Sequence, residues 1–205
     1  MMIRLLYILL CIIAVYSCKT QTILEDDIYE AVENIIEELE GENWIKEGKL
    51  DYQYVLDKSF QHPSFMYNAD KLFEKETIKK YFSIEDKKEF ENQLEWYKDF
   101  SYQQEKIKSK KILHKQELEE IISNDRKSFW EIYISKYGDV GFYDISFPLF
   151  SADKKKMLVC VDSYFPYLNG GGYLLVYERK WKVENKRSLI YVYIIFGSVS
   201  DLVMV

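Results

Sequence analysis

Few groups in this chain have chemistry to offer. Ser151-Ala152-Asp153-Lys154 has the S-x-x-K form in which a lysine can activate a serine nucleophile. The K-T-G strand that penicillin-recognising enzymes add to that motif does not occur in the sequence, so a β-turn is the plainer reading. The two histidines, His62 and His114, are far apart, and neither has a second ligand at metal-site spacing, which speaks against zinc. A Ser-His-acid triad needs its members to meet only in space, but no G-x-S-x-G elbow presents a serine. Cys160 lies in the run MLVCV, surroundings that suit a buried apolar thiol better than a nucleophile. Asn169-Gly170-Gly171-Gly172 offers backbone amides to an anion but lacks the Lys-Ser/Thr of a nucleotide loop, and so reads as a hairpin turn. Carboxylate pairs of the glycosidase kind are expected by chance among 34 acidic residues and carry little information. No catalytic residue, metal or cofactor is assigned. The 18 tyrosines are more suggestive, because Tyr173, Tyr177, Tyr191 and Tyr193 fall at alternate positions of the last two expected strands. On one face they can bind a protein or glycan partner, each ring giving a flat surface with a polar tip; the alternative is that helices cover them as core.

The first eighteen residues, MMIRLLYILLCIIAVYSC, place one basic residue, Arg4, before an apolar run from Leu5 to Tyr16. That run is too short for a helix crossing the hydrocarbon core, which needs about 20 residues, and fits the h-region of a secretory signal. Val15-Tyr16-Ser17-Cys18 resembles the lipobox of bacterial lipoproteins, with an aliphatic residue at minus three, a small residue at minus one and the obligatory cysteine. The resemblance implies that residues 1–17 are removed as a signal peptide and that the Cys18 thiol carries diacylglycerol. It also implies an acylated amino terminus, with residues 18–24 as a tether. Each buried methylene is worth about 0.8 kcal/mol, so two or more chains anchor firmly. The alternatives are a secretory signal cut elsewhere and an uncleaved anchor. Cleavage removes Arg4 alone from the 28 basic residues and none of the 34 acids, leaving a net charge of about −7. Cys160 is then the one cysteine left without lipid, and no intramolecular disulfide can form.

The remaining chain must supply the elements that position any site, and it reads as one α+β domain over residues 25–205. Its helical part covers 25–138, and an antiparallel β-meander of four to five strands covers 139–205. Ile28, Val32, Ile35, Ile36 and Leu39 recur at spacings of three and four, so they define an amphipathic helix that Asp26 or Asp27 caps and Gly41 stops. Residues 43–81 show no sustained period and are expected to hold only short helical pieces, with a break at His62-Pro63. Ser83 and Asp86 have the form of a capping box for a helix over about 84–98 with a stripe of Ile84, Phe90, Leu94 and Tyr97. Five lysines between Lys106 and Lys115 form a basic stripe, either a solvated face or a contact with phosphate headgroups or with the acidic helix. Leu118, Ile121 and Ile122 begin a further helix; Asn124 can cap a second piece bearing Phe129, Ile132 and Tyr133, which Gly138 ends.

After Gly138 the period changes from near four to two. Residues 142–150 alternate as one strand, placed at a sheet edge by Pro148, and 189–196 are apolar on both faces, as a central strand would be.

The acidic balance disfavours nucleic acid as a partner. The lipobox, the FSIED helix start and the stretch from Ile145 to Val183 together resemble small uncharacterised lipoproteins of Bacteroidetes-type bacteria. That resemblance implies a cell-envelope location, at the outer membrane or cell surface, and no particular activity. Three functions remain open: a non-catalytic binding module for a protein or glycan, an acidic protective inhibitor of a basic toxin or lytic enzyme, and an envelope hydrolase with dispersed catalytic residues.

Overall fold

The computed structural model describes residues 25–41, 50–60, 73, 76–97, 100–123, 127–167, 171–181 and 187–192, except the side chains of 77, 95–97, 171, 179–181 and 187–192. The fold is α+β. Helix α1 (residues 25–41) buries Ile28, Val32, Ile35 and Ile36, the face its spacing defines. Asp26 and Asp27 lie within its first turn, and Asp27 is buried. Strand β1 (Tyr52–Leu56) follows, then α2 (Glu76–Tyr81) and α3 (Ile84–Tyr97). The capping box of α3 is formed: the Ser83 amide donates to Asp86 Oδ2 at 2.8 Å and the Asp86 amide to Ser83 Oγ at 3.2 Å. Phe90 and Gln93 face the core, whereas Ile84, expected in the buried stripe, is 87% exposed, because the first helical position precedes the face that meets the sheet.

Strand β2 (Lys111–Leu113) runs into α4 (Lys115–Ile122), and α5 (Phe129–Tyr137) ends at Gly138, whose φ of 91° suits a residue without Cβ. Its cap is Ser128, in a reciprocal capping box with Glu131, and not Asn124, which lies outside the described residues. The strands β3 (Gly141–Ile145), β4 (Leu149–Phe150), β5 (Lys156–Tyr164), β6 (Gly171–Trp181) and β7 (Arg187–Val192) complete the domain.

These strands form one seven-stranded sheet of order β2-β1-β3-β5-β6-β7, with β4 also paired to β5. From β3 onward the pairing is antiparallel, but β1 pairs in parallel with both β2 and β3. The sheet is therefore mixed and larger than the expected meander, since two strands from the part expected to be helical, 25–138, join it. Their signal was weak for physical reasons: β1 changes register at a bulge between Tyr52 and Tyr54, and β2 has three residues. The 142–150 segment is two strands broken at 146–148: β3 lies inside the sheet between β1 and β5, not at an edge, while β4, which follows Pro148, pairs with β5 alone among the described strands. Among the described residues β7 is terminal, where a central strand was expected.

Successive residues of a strand face opposite sides. Tyr143 and Ile145 join Ile28, Val32, Ile78, Phe82 and Phe90 in the larger core. Phe142 joins Leu118, Ile121 and Tyr133 in a smaller one. Helices α1 to α3 thus cover one face and α4 and α5 the other, so the helices are not confined to one side.

Candidate functional site

The connections around β1 set the geometry. The chain leaving β1 passes through α2 and α3 on one face before reaching β2. The chain leaving β2 passes through α4 and α5 on the opposite face before reaching β3, on the other side of β1. Open parallel sheets take their ligands at the carboxyl ends of strands whose connections part to opposite faces. Asp57 and His114 are the first residues beyond β1 and β2, so the parallel register brings them side by side at that end of the sheet.

His114 Nδ1 lies 2.8 Å from Asp57 Oδ2, and the other carboxylate oxygen accepts the Lys115 amide at 2.8 Å. Asp57 thereby does two things: it holds the first amide of α4 and it orients the imidazole. An ionised carboxylate only accepts, so Nδ1 carries the proton in this pair and Nε2 is left for other contacts. The His114 side chain is 63% exposed and that of Asp57 19%. Lys115 stands beside them, its ammonium 4.8 Å from the Phe60 ring centre, 3.5 Å from the Ser59 carbonyl and 3.9 Å from Glu119. Tyr102, on the segment that leads into β2, is fastened to the same end of the sheet: its amide donates to the Asp57 carbonyl at 2.7 Å and its hydroxyl to the Ser146 carbonyl at 3.0 Å. Burial pushes the Tyr102 phenol well up, so it stays neutral and donates. Such an arrangement can accept or deliver a proton at Nε2, or offer a polar ligand hydrogen bonds beside a cation.

A pair of carboxylates lies inside the sheet. Asp144 and Asp162 are cross-strand partners, both buried, and Asp144 Oδ2 accepts the Phe60 amide at 3.0 Å. Neither has the solvent access that glycoside chemistry requires. Cys160 is buried too; burial pushes its thiol well up, with Asp162 and Asp144 adding to the shift, which makes it inert.

Ser151 forms the expected turn. Its hydroxyl donates to Asp153 Oδ1 at 2.8 Å and accepts the Lys156 amide at 2.9 Å, and its carbonyl accepts the Lys154 amide at 2.8 Å, so the hydroxyl is engaged by Asp153 and Lys156. The tyrosine face is not a free surface where it is described. Tyr177 is 2% exposed within the larger core, and Tyr173 is half-buried against the same cluster, because α1 to α3 cover that side of the sheet. Tyr191 is the backbone partner of Tyr177, but its side chain, like all of Tyr193, lies outside the described residues. Cys18, His62 and Asn169-Gly170 lie outside them as well.

The basic stripe is divided. Lys106 pairs with Glu25, Lys110 with Glu40, and the Lys108 amide donates to Glu33, so the segment 106–110 lies along α1. Of the three readings of that stripe, contact with the acidic helix is the one formed by Lys106 and Lys110. Sequence reasoning missed Asp57; the alternation in YQYVL just before it was the available signal.

No family model matches the chain, and no curated protein or solved structure matches it either.

Proposed function

We propose that this chain is a lipid-anchored cell-envelope protein, joined to its membrane through lipid on Cys18, whose domain binds a protein or glycan partner without catalysis. The observation that carries this reading is the apolar run Leu5 to Tyr16 ending in Val15-Tyr16-Ser17-Cys18. No helix among the described residues is long and apolar enough to cross a membrane. The binding role is supported by the groups at the carboxyl ends of β1 and β2, where an exposed His114 is held by Asp57 and Lys115 stands over the Phe60 ring. The inhibitor reading draws less support, because Glu25, Glu33 and Glu40 of the acidic helix are engaged within the domain.

The test is incorporation of labelled palmitate into wild type and Cys18→Ala, with membrane fractionation of both. Label and membrane association that both disappear in the variant are the expected result. Association without label overturns the reading and makes Leu5 to Tyr16 an uncleaved anchor.

One observation favours a second reading, an envelope hydrolase: an exposed imidazole oriented by a carboxylate. Its test is hydrolysis of a panel of ester, amide and glycoside substrates by wild type and His114→Gln. Turnover in the wild type that His114→Gln abolishes supports it, and turnover unaffected by the substitution removes it.

A further inference from the structure

Resting on the lipid-anchored reading, we infer that the edge bearing Asp57 and His114 faces the headgroup layer of the membrane to which Cys18 is joined. The inference joins the direction of α1 to the length of chain before it. Lys110 fixes that direction: its ammonium pairs with Glu40 in the last turn of α1 and donates to the carbonyl of Tyr52, the first residue of β1. The last turn of α1 therefore lies beside the start of β1. Its first turn lies beside the end of β1. Tyr29 accepts the Gln103 amide at 3.2 Å and meets the Tyr102 ring edge-on at 6.1 Å, while the Tyr102 amide reaches the Asp57 carbonyl. Lys106 and Glu25 pair at the same end. So α1 runs antiparallel to β1, and the carboxyl ends of β1 and β2 share an end of the molecule with Glu25.

From Cys18 to Glu25 the chain can reach at most about 25 Å, at 3.3–3.6 Å per residue. That is about the length of the α1 helix itself at 1.5 Å per residue. The anchor enters at the first turn of α1, so the end bearing Asp57 and His114 lies nearest the point of attachment, and Lys111 and Asp139, at the amino ends of β2 and β3, lie farther from it. Charge at the near end is mixed: Lys106 is paired with Glu25, Lys115 stands 3.9 Å from Glu119, Asp57 contacts His114, and Asp26 and Glu105 are exposed. The orientation follows from the point of attachment, so it does not require anionic lipid. Whatever meets His114 and Lys115 then does so within the headgroup layer, which narrows the partner class to molecules displayed at that surface.

The test uses the full lipidated chain in phosphatidylcholine vesicles containing a headgroup-labelled quenching lipid. A fluorophore is placed in turn at Glu105→Cys and Gln116→Cys on the near edge, and at Lys111→Cys and Asp139→Cys on the far edge. All four positions are exposed, while Cys160 is buried and does not compete for label. The expected result is a greater loss of fluorescence at residues 105 and 116 than at 111 and 139. Equal or reversed quenching in protein whose mass shows lipid on Cys18 overturns the orientation and leaves the anchor intact. Absence of lipid on Cys18 overturns the anchored reading and the orientation with it.

Discussion

Gly141 opens β3 where a side chain has no room. A Cβ there would stand 2.6 Å from the Tyr52 ring and 2.7 Å from the Tyr164 carbonyl oxygen, both held by the sheet. Tyr52 stacks on Tyr143 at 4.5 Å between ring centres, so the ring cannot simply swing away. Gly141→Ala is expected to cost about 1–3 kcal/mol, as overpacking does, read as a lower urea midpoint with unchanged slope. Tyr133 makes the opposite case. Its hydroxyl is buried with no hydrogen-bond partner among the described residues, and burial pushes the phenol up. Tyr133→Phe removes only that hydroxyl and should leave stability unchanged or raise it by up to about 1 kcal/mol in the same measurement. A clear loss would show that the hydroxyl has a partner. Cys160 was legible as inert because its neighbours in sequence are also its surroundings. The Asp57–His114 contact was not, since its partners are 57 residues apart and meet only through the pairing of β1 with β2.

Two glutamines do work at the level of elements that no periodicity reveals. Gln93, buried on α3, donates to the Phe150 carbonyl at 2.7 Å and accepts the Phe150 amide at 2.9 Å, joining the helix to β4 as a strand would. Gln93→Ala leaves both backbone groups buried without that partner, a loss of about 2–6 kcal/mol at 1–3 kcal/mol per group, measurable by calorimetry or denaturant melts. Gln104 acts on the outer strand β2: it accepts the Ile112 amide at 2.8 Å and donates to the carbonyls of Lys110 and Ile107. A side chain thus occupies groups that a second strand could otherwise pair with. Gln104→Ala should increase self-association, seen as a concentration-dependent rise in sedimentation coefficient; a variant that stays at the wild-type value would show the edge is closed by other means. The helices α1 and α3 were readable because their spacing and capping residues are local. The strands β1 and β2 were hidden by a bulge and by brevity, and the misplaced Ile84 shows that a period gives a face only when the helix start also touches the sheet.

Across the whole molecule, two ion pairs and one amide-to-carboxylate hydrogen bond hold α1 against the segment 106–110. Lys106 is raised chiefly by its hydrogen bond to Glu25, so it stays charged in the pair. Surface pairs are individually weak, at about 0–1 kcal/mol, but here they join α1 to the segment that leads into β2. The double reversal Lys106→Glu with Lys110→Glu should speed amide exchange across residues 25–41, measured by mass spectrometry. Exchange unchanged from wild type would show that apolar packing alone holds the helix.

What the sequence determined by itself was local: the α+β character, the buried face of α1, the capping box of α3 and the shift of period after Gly138. Each depends on residues within a few positions of one another, where spacing converts directly into a face or a cap. The tertiary structure alone decided that β1 and β2 enter the sheet in parallel, that helices cover both faces and that Tyr177 belongs to the core. It also brought Asp57 to His114. Parallel pairing joins strands distant in the chain, and its register is written in no contiguous stretch of residues.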